Sequence, residues 1–239
     1  MTRYAIYFAP PDASPLWRFG SRIIGYDAAT GKDEPLTETA GRTGDDWATL
    51  TAEPRRYGFH ATLKAPFEPA CGINEDDVLR DVEAEASRLS PITLPALHVA
   101  AIGRFIALVP IERSEELQTL AAAVVERLDH LRRPLSEADR ARRLASPLTP
   151  RQLDYLDRFG YPYVGEEFRF HMTLTGPIAE DSERERIRLR LGAAFRDTVP
   201  AAPVSINTLA VFCQPKRDDR FQIMARFPLG GPRALSTRQ

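Results

Sequence analysis

Two octets, FHATLKAP at 59–66 and FHMTLTGP at 170–177, share Phe, His, Thr, Leu and Pro in the same order. Histidine is scarce, four in 239 residues, and two of the four hold the same place in this repeat. An imidazole, with an unperturbed pKa of about 6.5, takes or gives a proton near neutral pH. Two of them flanking one spot suit in-line displacement at phosphorus, where one neutral His accepts a proton from the attacking oxygen and one protonated His delivers a proton to the leaving oxygen. Hydroxyls and cations beside them would hold the non-bridging oxygens as charge develops. His60 and His171 are therefore the candidate acid and base, and Thr62 and Thr173 the candidate phosphate ligands. Packing symmetry alone would preserve Phe, Leu and Pro without needing His and Thr.

Read as strands, the octets are amphipathic, because side chains alternate across a strand. His60 and Thr62 share one face, with Phe59, Ala61 and Leu63 on the other. His171 and Thr173 likewise oppose Phe170, Met172 and Leu174. The same parity puts Arg56, Gly58 and Lys64 with His60, and Arg169 and Thr175 with His171. Arg56, Lys64 and Arg169 are then either phosphate contacts or surface ion pairs. Tyr4 and Tyr7 in the opening strand either stack on a base or sugar or pack in the core. His98 and His130 read as structural.

The elements that must position these residues also repeat. RYAIYFAP at 3–10 reads as a strand, and SPLWRFGSRIIGY at 14–26 as a helix with Ser14 as N-cap and Pro15 in its first turn. The 27–55 extension, little periodic, reads as a functional loop or lid. A helix at 73–89 and strands from 92 to 110 follow. RFIALVP at 104–110 resembles the opening strand, a helix at 114–131 follows it, and an irregular charged extension spans about 132–165. A helix at 181–195, a strand at 203–213 and a closing hairpin complete the chain. The expected plan is one domain over 1–229 built of two lobe units, about 1–102 and about 103–229, with 230–239 a flexible tail.

Composition narrows the function. An apolar fraction of 43%, a charged fraction of 27% and no long apolar run describe an ordinary globular chain with no membrane partner. The N-terminus has a charge at position 3 and no apolar h-region, so a cytoplasmic location is expected. Cys71 and Cys213 stand far apart, without C-x-x-C spacing, and are expected to be reduced thiols in or near the core; no metal or cofactor site is suggested. A net charge of −1 favours a small anionic ligand over a long nucleic acid. The six arginines of 132–151 read as a solvated helical face or, alternatively, a binding surface.

HATL at 60–63 and HMTL at 171–174 resemble the paired H-x-[ST]-hydrophobic motifs of the 2H, or two-histidine, phosphoesterase superfamily. YGFHATLKAPF is similar to a bacterial branch found in connection with phosphonate metabolism. The resemblance covers the chain apart from the two extensions. It implies a bilobal α+β fold of pseudo-twofold repeated antiparallel sheets, with helices outside and a central cleft. It also implies metal-independent, cofactor-free cleavage of a small cyclic phosphodiester, a nucleotide or ribose phosphate, with His60 and His171 as base and acid and Thr62 and Thr173 on the phosphate. The extensions depart from the compact members and leave the substrate open. Two other readings stand beside it: a non-catalytic nucleotide- or phosphosugar-binding module, and an RNA end-processing or ligase activity. Oligomeric state is not legible.

Overall fold

The computed structural model describes residues 1–36 and 44–230. Strand β1 (Arg3–Phe8) is buried from Tyr4 onward. Ser14 caps helix α1 (Pro15–Ile24) by accepting from the Trp17 N–H at 3.1 Å. A small hairpin, β2 (Tyr26–Asp27) and β3 (Lys32–Asp33), and two short helices, α2 (Gly44–Leu50) and α3 (Ala52–Tyr57), follow. The first octet forms β4 (Ala61–Phe67), and α4 (Glu75–Ala86) opens with a reciprocal capping box between Asn74 and Asp77. Next come β5 (Ile92–Leu94), β6 (Leu97–Ile102), β7 (Phe105–Pro110) and α5 (Glu115–Arg127). The second extension holds α6 (Glu137–Arg143) and α7 (Pro150–Phe159). Of the second octet only β8 (Met172–Thr173) is a strand; α8 (Asp181–Thr198), β9 (Val204–Ile206), β10 (Thr208–Gln214) and β11 (Gln222–Pro228) close the chain.

The architecture is α+β, with an antiparallel seven-stranded sheet ordered β11-β10-β1-β4-β8-β7-β6. Two half-sheets meet in it, β11-β10-β1-β4 and β8-β7-β6, joined by the single pair Ala61↔Met172. The half-sheets do not follow the halves of the chain. Strands β10 and β11, from the end of the sequence, complete the first half-sheet, while β6, before residue 103, belongs to the second. Helix α4 packs against β10 and β11, α5 against β4, and α8 against β6.

The described part of the 27–55 extension is held by anchors rather than by its own periodicity. Trp47 is fully buried and its indole N–H donates to the Ile23 carbonyl at 2.7 Å. Arg55 reaches the Ile24 carbonyl at 2.8 Å and the Thr51 hydroxyl at 2.7 Å. Together these bonds satisfy orphan carbonyls at the end of α1. The described part is therefore packed structure, not the loop that its weak periodicity suggests. Among the described residues no helix is long and apolar enough to cross a membrane. Cys213 is buried and burial pushes its thiol up to about 11, but Cys71 is exposed, contrary to the core placement expected for both. The expected tail lies, beyond Gly230, outside the described residues.

Gly20 fixes how α1 meets the first octet. A Cβ at this position would lie 2.2 Å from Cγ of the fully buried Phe59, which leaves no room for a methyl group. Gly20→Ala is expected to lower unfolding free energy by about 1–3 kcal/mol, read as a drop in the urea midpoint; an unchanged midpoint would show that α1 can shift freely.

Candidate active site

The Ala61↔Met172 pair sets the geometry of the site. Carried one residue to either side, that antiparallel register places His60 opposite Thr173 and Thr62 opposite His171. All four side chains share a face, and the two histidines lie on a diagonal. Diagonal neighbours across such a ladder are about 7–8 Å apart, a gap that accommodates a phosphoryl group. On the opposite face Phe59, Leu63, Phe170, Met172 and Leu174 are all buried.

Each imidazole is oriented by its own strand. His60 Nδ1 lies 2.8 Å from the Gly58 carbonyl, and His171 Nδ1 lies 2.7 Å from the Arg169 carbonyl. A carbonyl only accepts, so Nδ1 carries the proton in both rings and Nε2 keeps the lone pair. Thr62 Oγ1, 3.2 Å away, donates to His60 Nε2. Burial lowers the His60 pKa to about 4; the Gly58 bond opposes this and the charge of His171 adds to it. Burial also lowers His171, with the Arg169 bond in opposition. Both rings are neutral at pH 7 without a bound anion.

The surroundings are not symmetric. Tyr7 stacks on His60 with ring centroids 3.7 Å apart and planes 15° from parallel. Tyr7 pairs with Thr62 across the sheet, whereas the partner of Thr173 is Ala107. His171 has instead Phe105, at 5.7 Å. A cavity of about 360 Å³ opens beside His60, Thr62 and Thr173, lined also by Arg3, Tyr7, Phe105 and Thr175, with His171 outside its wall. Arg3 is held by Gln214, whose Oε1 accepts from its Nε at 2.7 Å; the Gln214 amide donates to the Arg217 and Asp219 carbonyls, which fixes its oxygen toward Arg3.

The other candidates go elsewhere. Lys64 is buried against α5, donating to the Val125 carbonyl and to Asp129 at 3.1 Å. The register shifts between Tyr7↔Thr62 and Ile6↔Lys64, so a bulge ends the alternation that put Lys64 beside His60. Arg56 stands on helix α3, where strand parity does not apply, and donates to the Arg217 carbonyl. Arg169 is exposed and offers the site only its backbone carbonyl. Tyr4 faces away, against Phe67. His130 pairs with Asp81 at 2.9 Å.

Residues outside the octets also reach the cleft: Arg3, Tyr57, Phe105, Arg143 and Tyr161. Arg3 was legible, since parity along β1 puts it with Tyr7. Arg143 was hidden in the arginine run, which the structure sorts by partner. Arg132, Arg133, Arg140, Arg142 and Arg151 pair with Asp129, Glu68, Asp157, Asp139 and Glu166, while Arg143 lies over the Tyr161 ring at 4.9 Å. Among the described residues no group of three or more His, Cys, Asp or Glu is placed to hold a metal ion.

A family model described as "Protein of unknown function (DUF1045)" matches residues 62–222, a span that includes β8 and all but the start of β4. The chain belongs to this family. It is 36% identical over 233 residues to a protein of Janthinobacterium sp. (strain Marseille) named ribose 1,5-bisphosphate phosphokinase PhnN, a match covering 97% of this chain and 51% of that protein. A protein of the same name from Laribacter hongkongensis (strain HLHK9) is 35% identical, over 92% of this chain and 50% of its own length. The chain thus spans about half the length of the curated relatives it matches. Among solved structures, E. coli LigT complexed with 3'-AMP matches with a TM-score of 0.43 and 14% identity, covering 95% of this chain and 98% of that one. The crystal structure of a phosphoesterase matches with a TM-score of 0.41 and 12% identity, over 95% of this chain and 98% of that one.

Gly58 controls the orientation of His60. Its φ of +78° and ψ of 172° lie in a region open essentially to glycine, and a Cβ there would sit 2.6 Å from the Ala28 Cβ. Gly58→Ala is expected to cost about 1–3 kcal/mol of stability, measured by urea unfolding; a wild-type midpoint would show that the backbone here is unstrained by a side chain.

Proposed function

We propose that the chain is a phosphoesterase that hydrolyses a small cyclic phosphodiester, a cyclic nucleotide or ribose phosphate, by two-histidine acid–base catalysis without a metal ion. The observation that carries this reading is the four-residue face of His60, Thr62, His171 and Thr173, with each Nδ1–H tied to the backbone two residues back. That tie fixes the tautomer in which Nε2 is the working nitrogen.

In the proposed reaction the diester lies between the two threonine hydroxyls, and Thr62 turns from His60 Nε2 to a phosphate oxygen. His60, the more strongly depressed imidazole, takes a proton from water as the water oxygen bonds to phosphorus. The bond from phosphorus to one ring oxygen breaks, and that oxygen receives the proton of a protonated His171. One water is added, and the product is a phosphomonoester with a free hydroxyl. The bound diester anion favours the protonated imidazole that the acid step needs. Arg3 faces the developing charge from the edge of the cleft.

The relatives' name supports the substrate class, since ribose 1,5-bisphosphate is a small phosphorylated pentose. Their named activity, a phosphokinase, does not transfer directly to this chain, which matches only about half of each and has no G-x-x-x-x-G-K-[ST] phosphate loop. A setting in phosphonate metabolism follows from the resemblance of YGFHATLKAPF.

His60→Ala and His171→Ala are each expected to lower kcat on a responsive 2',3'-cyclic nucleotide by on the order of a hundredfold or more with the fold intact. Full turnover by the double variant would sink the proposal. The pH profile is a separate test. With His60 as base near pKa 4 and His171 as acid below the ordinary 6.5, kcat/KM should be bell-shaped, rising as pH passes about 4 and declining again with increasing pH through a midpoint that lies below 6.5. An activity that keeps climbing to pH 8 would contradict the assignment of roles.

A further inference from the structure

Beside the catalytic cleft lies a second chamber of about 390 Å³. The two share Arg3, Tyr57, Ala65, Pro66, Arg143 and Tyr161, so they adjoin along a waist at these residues. Most of the second chamber's wall is the 132–165 extension. Seven cationic side chains line it against two carboxylates, Glu68 and Asp139.

Those carboxylates are already engaged. Arg217 binds both, at 3.2 and 2.9 Å, Arg133 takes the other side of Glu68, and Arg142 takes Asp139. Lys64 and Arg132 share Asp129 behind the wall. Arg3 and Arg143, the two cations at the waist, have no carboxylate partner among the described residues. Arg3 is half-buried, lies over the Phe221 ring and donates to a neutral amide; burial lowers its pKa, Tyr57 opposes this, and Arg217 and Arg56 lower it further. Arg143 lies over the Tyr161 ring, an arrangement that satisfies the guanidinium face and leaves its N–H edge for an anion. Two unneutralised guanidiniums converging on one opening favour a ligand that brings its own negative charge.

We propose that the chamber, at Arg3 and Arg143, is a second anion subsite, and that the physiological ligand is a pentose unit with a terminal phosphate in addition to the group held between His60 and His171. The proposal rests on the phosphoesterase reading for the first group only. It gives the second extension a role in specificity: it selects doubly phosphorylated substrates by charge at a fixed distance from the scissile bond.

Equilibrium binding of adenosine 2',5'-bisphosphate and adenosine 2'-monophosphate, by calorimetry at one ionic strength, tests this on the full chain. The bisphosphate should bind on the order of tenfold tighter or more, as charged hydrogen bonds of ordinary strength imply. Arg143→Gln should remove the preference and Arg143→Lys retain part of it. Arg151→Gln, in an exposed pair with Glu166 outside both chambers, should leave it intact. Equal affinity for the two ligands, a preference that survives Arg143→Gln, or no binding of either ligand would overturn the proposal. Ribose 1,5-bisphosphate distinguishes the two sources of the second phosphate: binding tighter than the adenosine bisphosphate assigns the chamber to a free sugar phosphate, and weaker binding assigns it to a nucleotide. Turnover separates the two claims. Selective binding by a chain that opens no cyclic diester would uphold the subsite while the phosphoesterase reading fails, and turnover with no preference for a second phosphate would overturn the subsite alone.

Discussion

One backbone pairing, Ala61 with Met172, holds the candidate site together. Because side chains alternate, this register puts both histidines and both threonines on one face and six apolar octet residues, Ala61 among them, on the other. A slip of one residue in either strand would send His60 or His171 into the core. The apolar face guards against that slip: Phe59, Leu63, Phe170, Met172 and Leu174 cannot be turned to solvent without exposing large buried side chains. Packing and chemistry are thus enforced by the same alternation, and a short β8 suffices because β4 and β7 hold it from both sides.

The repeat is approximate where it matters for mechanism. Thr175 stands where the first octet has Lys64, and its hydroxyl accepts from the Ile106 N–H at 3.1 Å while Leu174 and Thr175 both donate to the Ile106 carbonyl. That side-chain bond replaces a rung of the ladder and ends β8 early. Gly176 stands where the first octet has Ala65; its N–H donates to the Leu50 carbonyl at 2.7 Å, and a Cβ would lie 2.9 Å from that oxygen. The first extension is therefore docked on the second octet. Together with Tyr7 on one imidazole and Phe105 near the other, these differences give the two histidines unlike surroundings, as an acid and a base require.

Much of this was legible because it rests on local rules. The faces of the octets follow from period two, and α1, α4 and α5 from their caps and apolar spacing. Legibility ended where tertiary partners decide. Helices α2 and α3 are too short to announce themselves and depend on Trp47 and Arg55 finding the end of α1. Ser136 caps α6 and a Thr149–Gln152 box caps α7, inside an extension whose spacing reads as irregular and whose arginines read only as a solvated helical face or a binding surface. Lys64 was misplaced by a bulge that no spacing reveals, and Arg143 was one arginine among six until its neighbours' carboxylates were known. The chain order of strands likewise concealed that β10 and β11 complete the first half-sheet.

The central claim is that two imidazoles flank one phosphoryl position. A crystal structure with orthovanadate bound tests it most directly, because the anion imitates phosphorus in displacement. The account predicts one vanadate with an oxygen within about 2.6–3.2 Å of each Nε2 of His60 and His171, touching the hydroxyls of Thr62 and Thr173. A vanadate bound away from this face, or touching one histidine while the other stays engaged by protein, would contradict it.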